Sequence, residues 1–545
     1  MENDSTFVAP EGVYSVTEEY KPAPSLIHPI TPSNPVHPTR LSHITVRFPL
    51  HKPAGAAPGF AQLLAKKPSP ADREKDAVSH TSSDTPDEEP AESVAEPSLF
   101  GGRKGLKAPP RPKHNIRTTS STFIARLQSA EGLAKTLAGK HGDTTFLFYN
   151  SAKSLIWVDV GSGSGSGAGA KEPLARLTFT AFPTCHDVHP ATGSPERLDV
   201  IIGFATGDLL WFCPLSSRYA RLNKAGCVSA SPVTAVRWVP SSASLFLAAH
   251  ADGSVLIYDT EREDAPFAPP EPPAHWNPLE TIHVSAPPFP QTKAPAKNPV
   301  SHWRVTRGSK AVVDMVFSPD AGHLALISED GCLRVVDALS GALVDCFASY
   351  FGALGCLAWS PDGRFILTGG QDDLLTLFAP WEARVVARAQ GHSSFVVGAA
   401  FDPQRCDGRT YRFGSVGDDG KLILWDFSSG ALHRPKSHTA HSHGSQSAAA
   451  HRFSVASTAS LRGLPPPAWS PPGEKDGREG GRFHPAPGRN EVAVVQPVLV
   501  KNTGTELATG IAFLPRALLT AGKTGLVKMW VRPLAIRAKR GSVHS

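Results

Sequence analysis

Five times along this chain an aromatic residue is followed two places later by proline, and about a dozen residues further on a tight turn opens a short apolar strand. The pairs are Trp238 and Pro240, Phe317 and Pro319, Trp359 and Pro361, Phe401 and Pro403, and Phe513 and Pro515. The turns begin at Asp252, Asp330, Asp372, Asp419 and Thr524, each followed by Gly except at Asp372, where Asp373 stands. Six residues after each turn begins come Tyr258, Val336, Phe378, Trp425 and Trp530, three of them followed by Asp. From Asp330 to Asp372 the period is 42 residues and from Asp372 to Asp419 it is 47, which brackets the ~40–45 of a four-stranded propeller blade. A sheet that small cannot bury both faces alone, so it needs like neighbours stacked on either side.

Within one unit, residues 358–363 end a strand in a turn whose φ proline pre-sets and which Asp and Gly accommodate. Residues 365–370 read as a second strand, with Gly369 and Gly370 where a neighbouring backbone must come close. The turn at Asp372 and Asp373 then reverses the chain into residues 374–378. Relaxing the pattern adds a unit over 198–212, with Thr206 at the turn, and a more degenerate one over 145–159. The sum is seven, and the expected fold is all-β: a seven-bladed WD40 β-propeller with a disordered N-terminal tail and long inter-strand insertions. Two departures bear on closure of the ring: Thr524 replaces the turn Asp in the last unit, and the first unit is barely recognisable.

Seven units of roughly 45 residues fill only about 315 of the 545. The propeller is expected over 116–535. Residues 1–115 are rich in Pro, Ser and His, with an acidic run at Asp84, Asp87, Glu88, Glu89 and Glu92 and a basic one at Arg103, Lys104, Lys107, Arg111 and Lys113. Such a stretch buries too little apolar surface to offset ordering entropy and reads as a disordered tail. Three insertions interrupt the repeat: the Gly/Ser tract 161–170, the Pro-rich 262–298, read as extended and solvated, and the His/Ser/Gly/Pro-rich 431–489. Residues 536–545 form a basic C-terminal tail with Lys539 and Arg540, just after Arg537 opens its charge.

The seven cysteines are odd in number, scattered and never spaced Cys-x-x-Cys, and no signal peptide is apparent. A reduced intracellular protein is expected, cytoplasmic with the nucleus as the alternative. No apolar run nears the ~18 residues of a membrane span. The net charge of +6 would suggest nucleic acid if it clustered on a strand face, but its strongest segments lie in the tails, so solvated linkers are preferred and a nucleic-acid partner is not expected.

His392, Ser415 and Asp419 could be mistaken for a hydrolase triad. Beside Trp425, they fit better as a structural hydrogen-bond chain within one blade: Asp to His, His to Ser, Ser to the indole N–H. No Gly-x-Ser-x-Gly elbow supports a nucleophile. His433, His438, His441, His443 and His451 sit in low-complexity sequence without Cys or carboxylate at ligand spacing, so no metal is expected. The glycines of 161–167 lack the Gly-Lys-Ser/Thr ending of a phosphate loop. No catalytic residue and no cofactor is expected, and the chain is read as a non-enzyme.

Longer strings carry a resemblance. Leu-Phe-Leu-Ala-Ala-His-Ala-Asp-Gly-Ser-Val-Leu-Ile-Tyr-Asp at 245–259, Asn-Pro-Val-Ser-His-Trp at 298–303, residues 411–427, residues 528–534, Gly-Phe-Ala-Thr-Gly-Asp-Leu-Leu-Trp at 203–211 and Arg-Leu-Asn-Lys at 221–224 resemble the fungal CreC-type catabolite repression WD-repeat proteins, whose animal relatives activate ubiquitin-specific proteases. The likeness covers roughly 115–260, 298–430 and 490–535. It implies a non-catalytic scaffold that binds and stabilises or activates a deubiquitinating protease in carbon catabolite repression, with transporters or regulators as substrates of the complex. Two other classes remain open at this point: a substrate-receptor propeller of a ubiquitin ligase, and a nuclear or chromatin adaptor.

In a blade of this kind the loop entering the first strand and the turn between the second and third share one face. Aromatic residues there are candidate partner contacts: Tyr350 and Phe351 at the entrance to the unit of Trp359, and Phe395 just after His392. Packing between blades is the plainer role for each, and on sequence grounds it is narrowly preferred.

Overall fold

Each aromatic-x-Pro and turn pair brackets a hairpin, and one blade shows how. Strand Leu354–Trp359 stops at a turn in which Ser360 Oγ donates to Asp362 (2.7 Å) and accepts from the Phe365 N–H (2.9 Å). Strand Ile366–Gly370 returns and ends at the second turn. There Asp372 Oδ1 accepts from the Leu374 N–H (3.2 Å) and Asp373 takes up a left-handed φ of 61°, the conformation that Gly supplies in the sister blades. Leu374–Ala379 and Arg384–Gln390 complete the sheet.

The computed structural model describes residues 5–21, 37–49, 111–116, 122–160, 172–287, 296–431, 482–504 and 506–533. They form seven such sheets. From the inside outward, blade 1 is Leu41–Phe48, Gly142–Ser151, Ser154–Val160, Ala175–Phe179 and Ile124–Ser129; blade 2 is Pro183–Val188, Val200–Phe204, Leu209–Cys213, Arg218–Leu222 and His114–Asn115. Blade 3 runs Val233–Trp238, Leu245–His250, Ser254–Asp259, Ser301–Arg304 and His283–Ser285, and blade 4 Val312–Phe317, His323–Ser328, Cys332–Asp337, Leu343–Ala348 and Arg482–His484. Blade 5 adds Ala493–Val495 outside the four strands above; blade 6 is Val396–Phe401, Thr410–Gly417, Lys421–Ser428 and Pro497–Asn502. Blade 7 is Ala508–Phe513, Ala517–Gly522, Val527–Val531, Gly12–Tyr20 and Thr6–Ala9.

The innermost strands touch their neighbours all the way round, and Leu41–Phe48 meets both Pro183–Val188 and Ala508–Phe513, so the ring is closed. Threonine hydroxyls on the inner strands bridge to the next blade: Thr184 to the Val233 carbonyl (2.6 Å), Thr234 to that of Val312 (2.5 Å) and Thr509 to that of Thr39 (3.1 Å). With a blade on either side, the middle strands are covered on both faces. Val200–Phe204 and Leu209–Cys213 are therefore buried at every position and show no apolar/polar alternation. Glycines mark close approach between blades: a Cβ at Gly203 would lie 2.6 Å from Val233 Cγ1, and one at Gly369 2.6 Å from Val396 Cγ1.

The N-terminal segment corrects the expectation of a disordered tail over 1–115. Residues 12–20 pair antiparallel with Val527–Val531, residues 6–9 add outside them, and residues 41–48 form the inner strand of blade 1. The seventh sheet takes its fourth and fifth strands from the N-terminal segment. Phe7 stacks on Tyr14 (4.6 Å between centroids) and tilts against Trp530 (5.2 Å), which supplies the apolar burial that the surrounding composition lacks. The acidic run at 84–92 and Arg103, Lys104 and Lys107 lie outside the described residues.

Two insertions also depart from expectation. Across the Pro-rich 262–298, Trp276 and Ile282 are buried, His283–Ser285 adds a strand to blade 3, and Asn298 Nδ2 donates to the Asp259 carbonyl and to Asp264 (both 3.0 Å). One Trp and one Ile anchor this stretch, which proline content alone does not disclose. Of 431–489, residues 482–484 form a strand on blade 4; the Gly/Ser tract, the five histidines from His433 to His451 and the basic tail 536–545 lie outside the described residues.

Candidate protein-docking face

Chain direction places the loops that enter each inner strand on the same face as the turns between the second and third strands. Tyr350 and Phe351 occupy the entry loop of blade 5, and Phe395 that of blade 6. Their side chains do not fill the blade interfaces: Tyr350 is 44% exposed, Phe351 71% and Phe395 45%. The inter-blade packing preferred on sequence grounds leaves this exposure unaccounted for; the buried residues beside the loops are Leu354 and Val396.

Both loops are held from below. Ser349 N–H donates to the Gly331 carbonyl (2.7 Å), Ser349 Oγ to the Gly352 carbonyl (2.7 Å), and the Ala353 N–H to Gln371 Oε1 (3.0 Å). A Cβ at Gly331 would fall 2.6 Å from the Gly352 oxygen, so the turn after Asp330 needs glycine for contact as well as for its φ of 78°. The Phe395 carbonyl accepts from the Asp418 N–H (2.9 Å), and the Ser393 N–H donates to Asp419 Oδ2 (2.9 Å).

Asp419 is also the end of a buried chain. Its Oδ1 lies 3.0 Å from His392 Nδ1, His392 Nε2 lies 2.7 Å from Ser415 Oγ, and the Trp425 indole N–H donates to the same oxygen at 2.9 Å. With Nδ1–H donated to the carboxylate, Nε2 accepts the Ser415 hydroxyl proton and every group is satisfied. Burial holds the His392 pKa below its ordinary value against the pull of Asp419, and hydrogen bonds hold the Asp419 carboxyl low despite its desolvation. Distances like these would suit a triad, but Ser415 is fully buried and its oxygen is already engaged by Trp425. The chain joins the second and third strands of blade 6 to the loop carrying Phe395.

The other turn positions do related work. Asp252 Oδ1 accepts from Ser254 N–H and Oγ (3.0 and 2.6 Å). Asp330 takes the Ser328 hydroxyl (2.6 Å) and the Arg334 guanidinium (2.6 Å), so in blade 4 the turn carboxylate is paired with an arginine. Thr524 Oγ1 donates to Glu506 Oε1 (2.5 Å); the carboxylate arrives from the entry loop instead of the turn.

Arg388 was not among the sequence candidates. It lies buried on the fourth strand of blade 5, with its guanidinium 4.5 Å from the centroid of the Tyr350 ring. An arginine inside the apolar run 385–389 is the signal that could have drawn attention to it. The axial channel encloses a cavity of about 350 Å³ whose charges answer one another, Arg237 donating to Asp314 at 2.8 Å. Among the described residues no His, Cys, Asp and Glu cluster could hold a metal ion, and no helix is long and apolar enough to cross a membrane.

A rigid ring presenting aromatic side chains on one face defines a binding module. Residues 344–378 match the family model described as WD domain, G-beta repeat. The chain is similar to the UBP9-binding protein bun62 of Schizosaccharomyces pombe (strain 972 / ATCC 24843), 33% identical over 427 residues that cover 76% of this chain and 75% of that protein. The chain belongs to the same family of WD-repeat proteins.

Proposed function

We propose that this protein is a non-catalytic scaffold that binds a ubiquitin-specific protease and stabilises or activates it, through the face carrying Tyr350, Phe351 and Phe395. The observation that carries the reading is the family relationship to a UBP9-binding protein, extending over three quarters of both chains. The exposure of three large aromatics on loops pinned by main-chain hydrogen bonds supports the choice of face. Exposed aromatic anchors on a preorganised backbone lose little freedom on binding. The resemblance to CreC-type proteins supports extending the proposal to carbon catabolite repression, with transporters or regulators as substrates of the complex, and the scattered, unpaired cysteines support the cytoplasm as its place of work, with the nucleus as the alternative.

A scaffold without chemistry of its own raises a protease's turnover only by binding the active conformation more tightly than the inactive one; equal affinity shifts nothing. The test is hydrolysis of a fluorogenic ubiquitin conjugate by the UBP9-type protease of the same organism, with and without this protein. A rise in turnover with the mixture, and none with this protein alone, supports the proposal. An unchanged rate together with separate elution of the two proteins on gel filtration contradicts it.

A further inference from the structure

The insertion that leaves blade 6 after its third strand does not return directly to that blade. Before making the fourth strand at Pro497–Asn502, the chain runs along the outside of blades 4 and 5. Arg482–His484 pairs parallel with Leu343–Ala348, and Ala493–Val495 pairs parallel with Arg384–Gln390. On blade 4 the His484 ring stacks on Phe347 with centroids 4.5 Å apart, and its Nε2 lies 2.7 Å from Asp345 Oδ1. Arg482 Nε stands 3.4 Å from the same oxygen.

Between the two strands, the backbone of this strap reaches Arg388. The guanidinium donates through Nη2 to the Pro487 carbonyl (2.8 Å) and through Nη1 to the Gly488 carbonyl (3.3 Å). Gly488 is itself fixed, its N–H donating to Glu491 Oε2 at 2.7 Å. With two of its donors on strap carbonyls, the planar cation is held 4.5 Å from the Tyr350 ring centroid, a geometry suited to cation–π attraction. Tyr350 and Phe351, the most exposed aromatic among the described residues, are consecutive. The strap therefore grips the fourth strand of blade 4 three residues before Tyr350, and grips Tyr350 itself through Arg388.

We infer that the segment 482–495 is a strap that sets the conformation of the docking loop, and that Arg388 is the positioning residue through which it acts. The inference rests on the docking reading above and deepens it: affinity for the protease depends on residues of blade 6's insertion that need not touch the protease. Lysine could not replace Arg388 fully, because a single ammonium cannot bridge two carbonyls while lying flat on a ring.

The experiment uses the full chain in five forms: wild type, Arg388→Ala, Arg388→Lys, His484→Ala and Phe351→Ala. Hydrogen exchange of the 349–353 amides is measured without partner, and affinity for the UBP9-type protease by calorimetry. Arg388→Ala should speed exchange in 349–353 and weaken binding roughly tenfold, His484→Ala should shift both in the same direction, and Arg388→Lys should recover part of each. Unchanged exchange in folded Arg388→Ala overturns the inference. So does faster exchange with undiminished affinity, provided Phe351→Ala binds weakly. If the wild type does not bind the protease at all, the docking reading falls, while the exchange data still decide whether the strap orders the loop. His484→Ala lies away from Tyr350 and tests the strap even if removal of buried Arg388 impairs folding.

Discussion

Arg412 on blade 6 donates to Glu11, 401 residues earlier in the chain, at 2.7 Å. The pair is nearly inaccessible, with side chains 5% and 3% exposed. Arg412 also forms a two-pronged contact with Asp426 (2.5 and 2.8 Å), and the Tyr14 hydroxyl donates to Glu11 at 2.6 Å. The N-terminal strands thus complete the sheet of blade 7 and are also ion-paired to its neighbour.

Removing Glu11 leaves nearly inaccessible Arg412 with Asp426 as its remaining carboxylate and takes the acceptor from the Tyr14 hydroxyl. Glu11→Ala is expected to cost about 3 kcal/mol of stability, read as a lowered denaturant midpoint, and deletion of residues 1–21 is expected to abolish cooperative unfolding. A cooperative transition of wild-type midpoint in the truncated chain would show that blade 7 closes without its borrowed strand.

Ser415 serves two partners at once. Ser415→Ala leaves His392 Nε2 and the Trp425 N–H without their shared oxygen, at a cost of roughly 2 kcal/mol. Because Asp419 and the neighbouring Asp418 hold the entry loop, the same change should raise hydrogen exchange at residues 393–395. Full stability and unaltered exchange would mean that water or a rearranged side chain replaces the hydroxyl.

Acid should weaken the fold before the carboxylates titrate. Burial lowers the pKa of His186, His189 and His302 to about 4, below the ~6.5 of an unfolded histidine. Between those values the unfolded chain binds more protons than the folded one, so stability rises with pH and is lost as pH falls from 6.5 towards 4. His186 donates to the Phe148 carbonyl at 3.1 Å, with Arg237 and Arg40 nearby adding to the disfavour of a charge. His186→Gln retains a donor but cannot titrate, and it should flatten melting temperature against pH in this window. A curve parallel to wild type would remove His186 from the explanation.

The blades were legible because their signals are local. An aromatic-x-Pro pair and an Asp-Gly turn specify a hairpin within some twenty residues, and the pairing Leu354↔Gly370 to Trp359↔Ile366 follows from that chemistry. Ring closure was not legible in the same way, since Gly12–Tyr20 meets its partner at the far end of the chain. Its inward residues Tyr14 and Tyr20 alternate with polar ones in a strand pattern, but the Pro- and Ser-rich surroundings dominated the reading. At the docking face, sequence spacing placed Tyr350, Phe351 and Phe395 on one face, whereas their exposure depended on which side chains fill the adjoining interfaces. Arg388 was hidden because its partners belong to a strap from another blade.

The face itself is tested most directly by one comparison: the Phe351→Ala, Phe395→Ala double variant against wild type, titrated into the UBP9-type ubiquitin-specific protease, with melting temperature measured on the same samples. Loss of exposed anchors should cost each variant site about 2 kcal/mol of binding, or roughly thirtyfold, while the melting temperature stays within a degree or two because neither ring fills the core. Wild-type affinity in the double variant would contradict the assignment of this face.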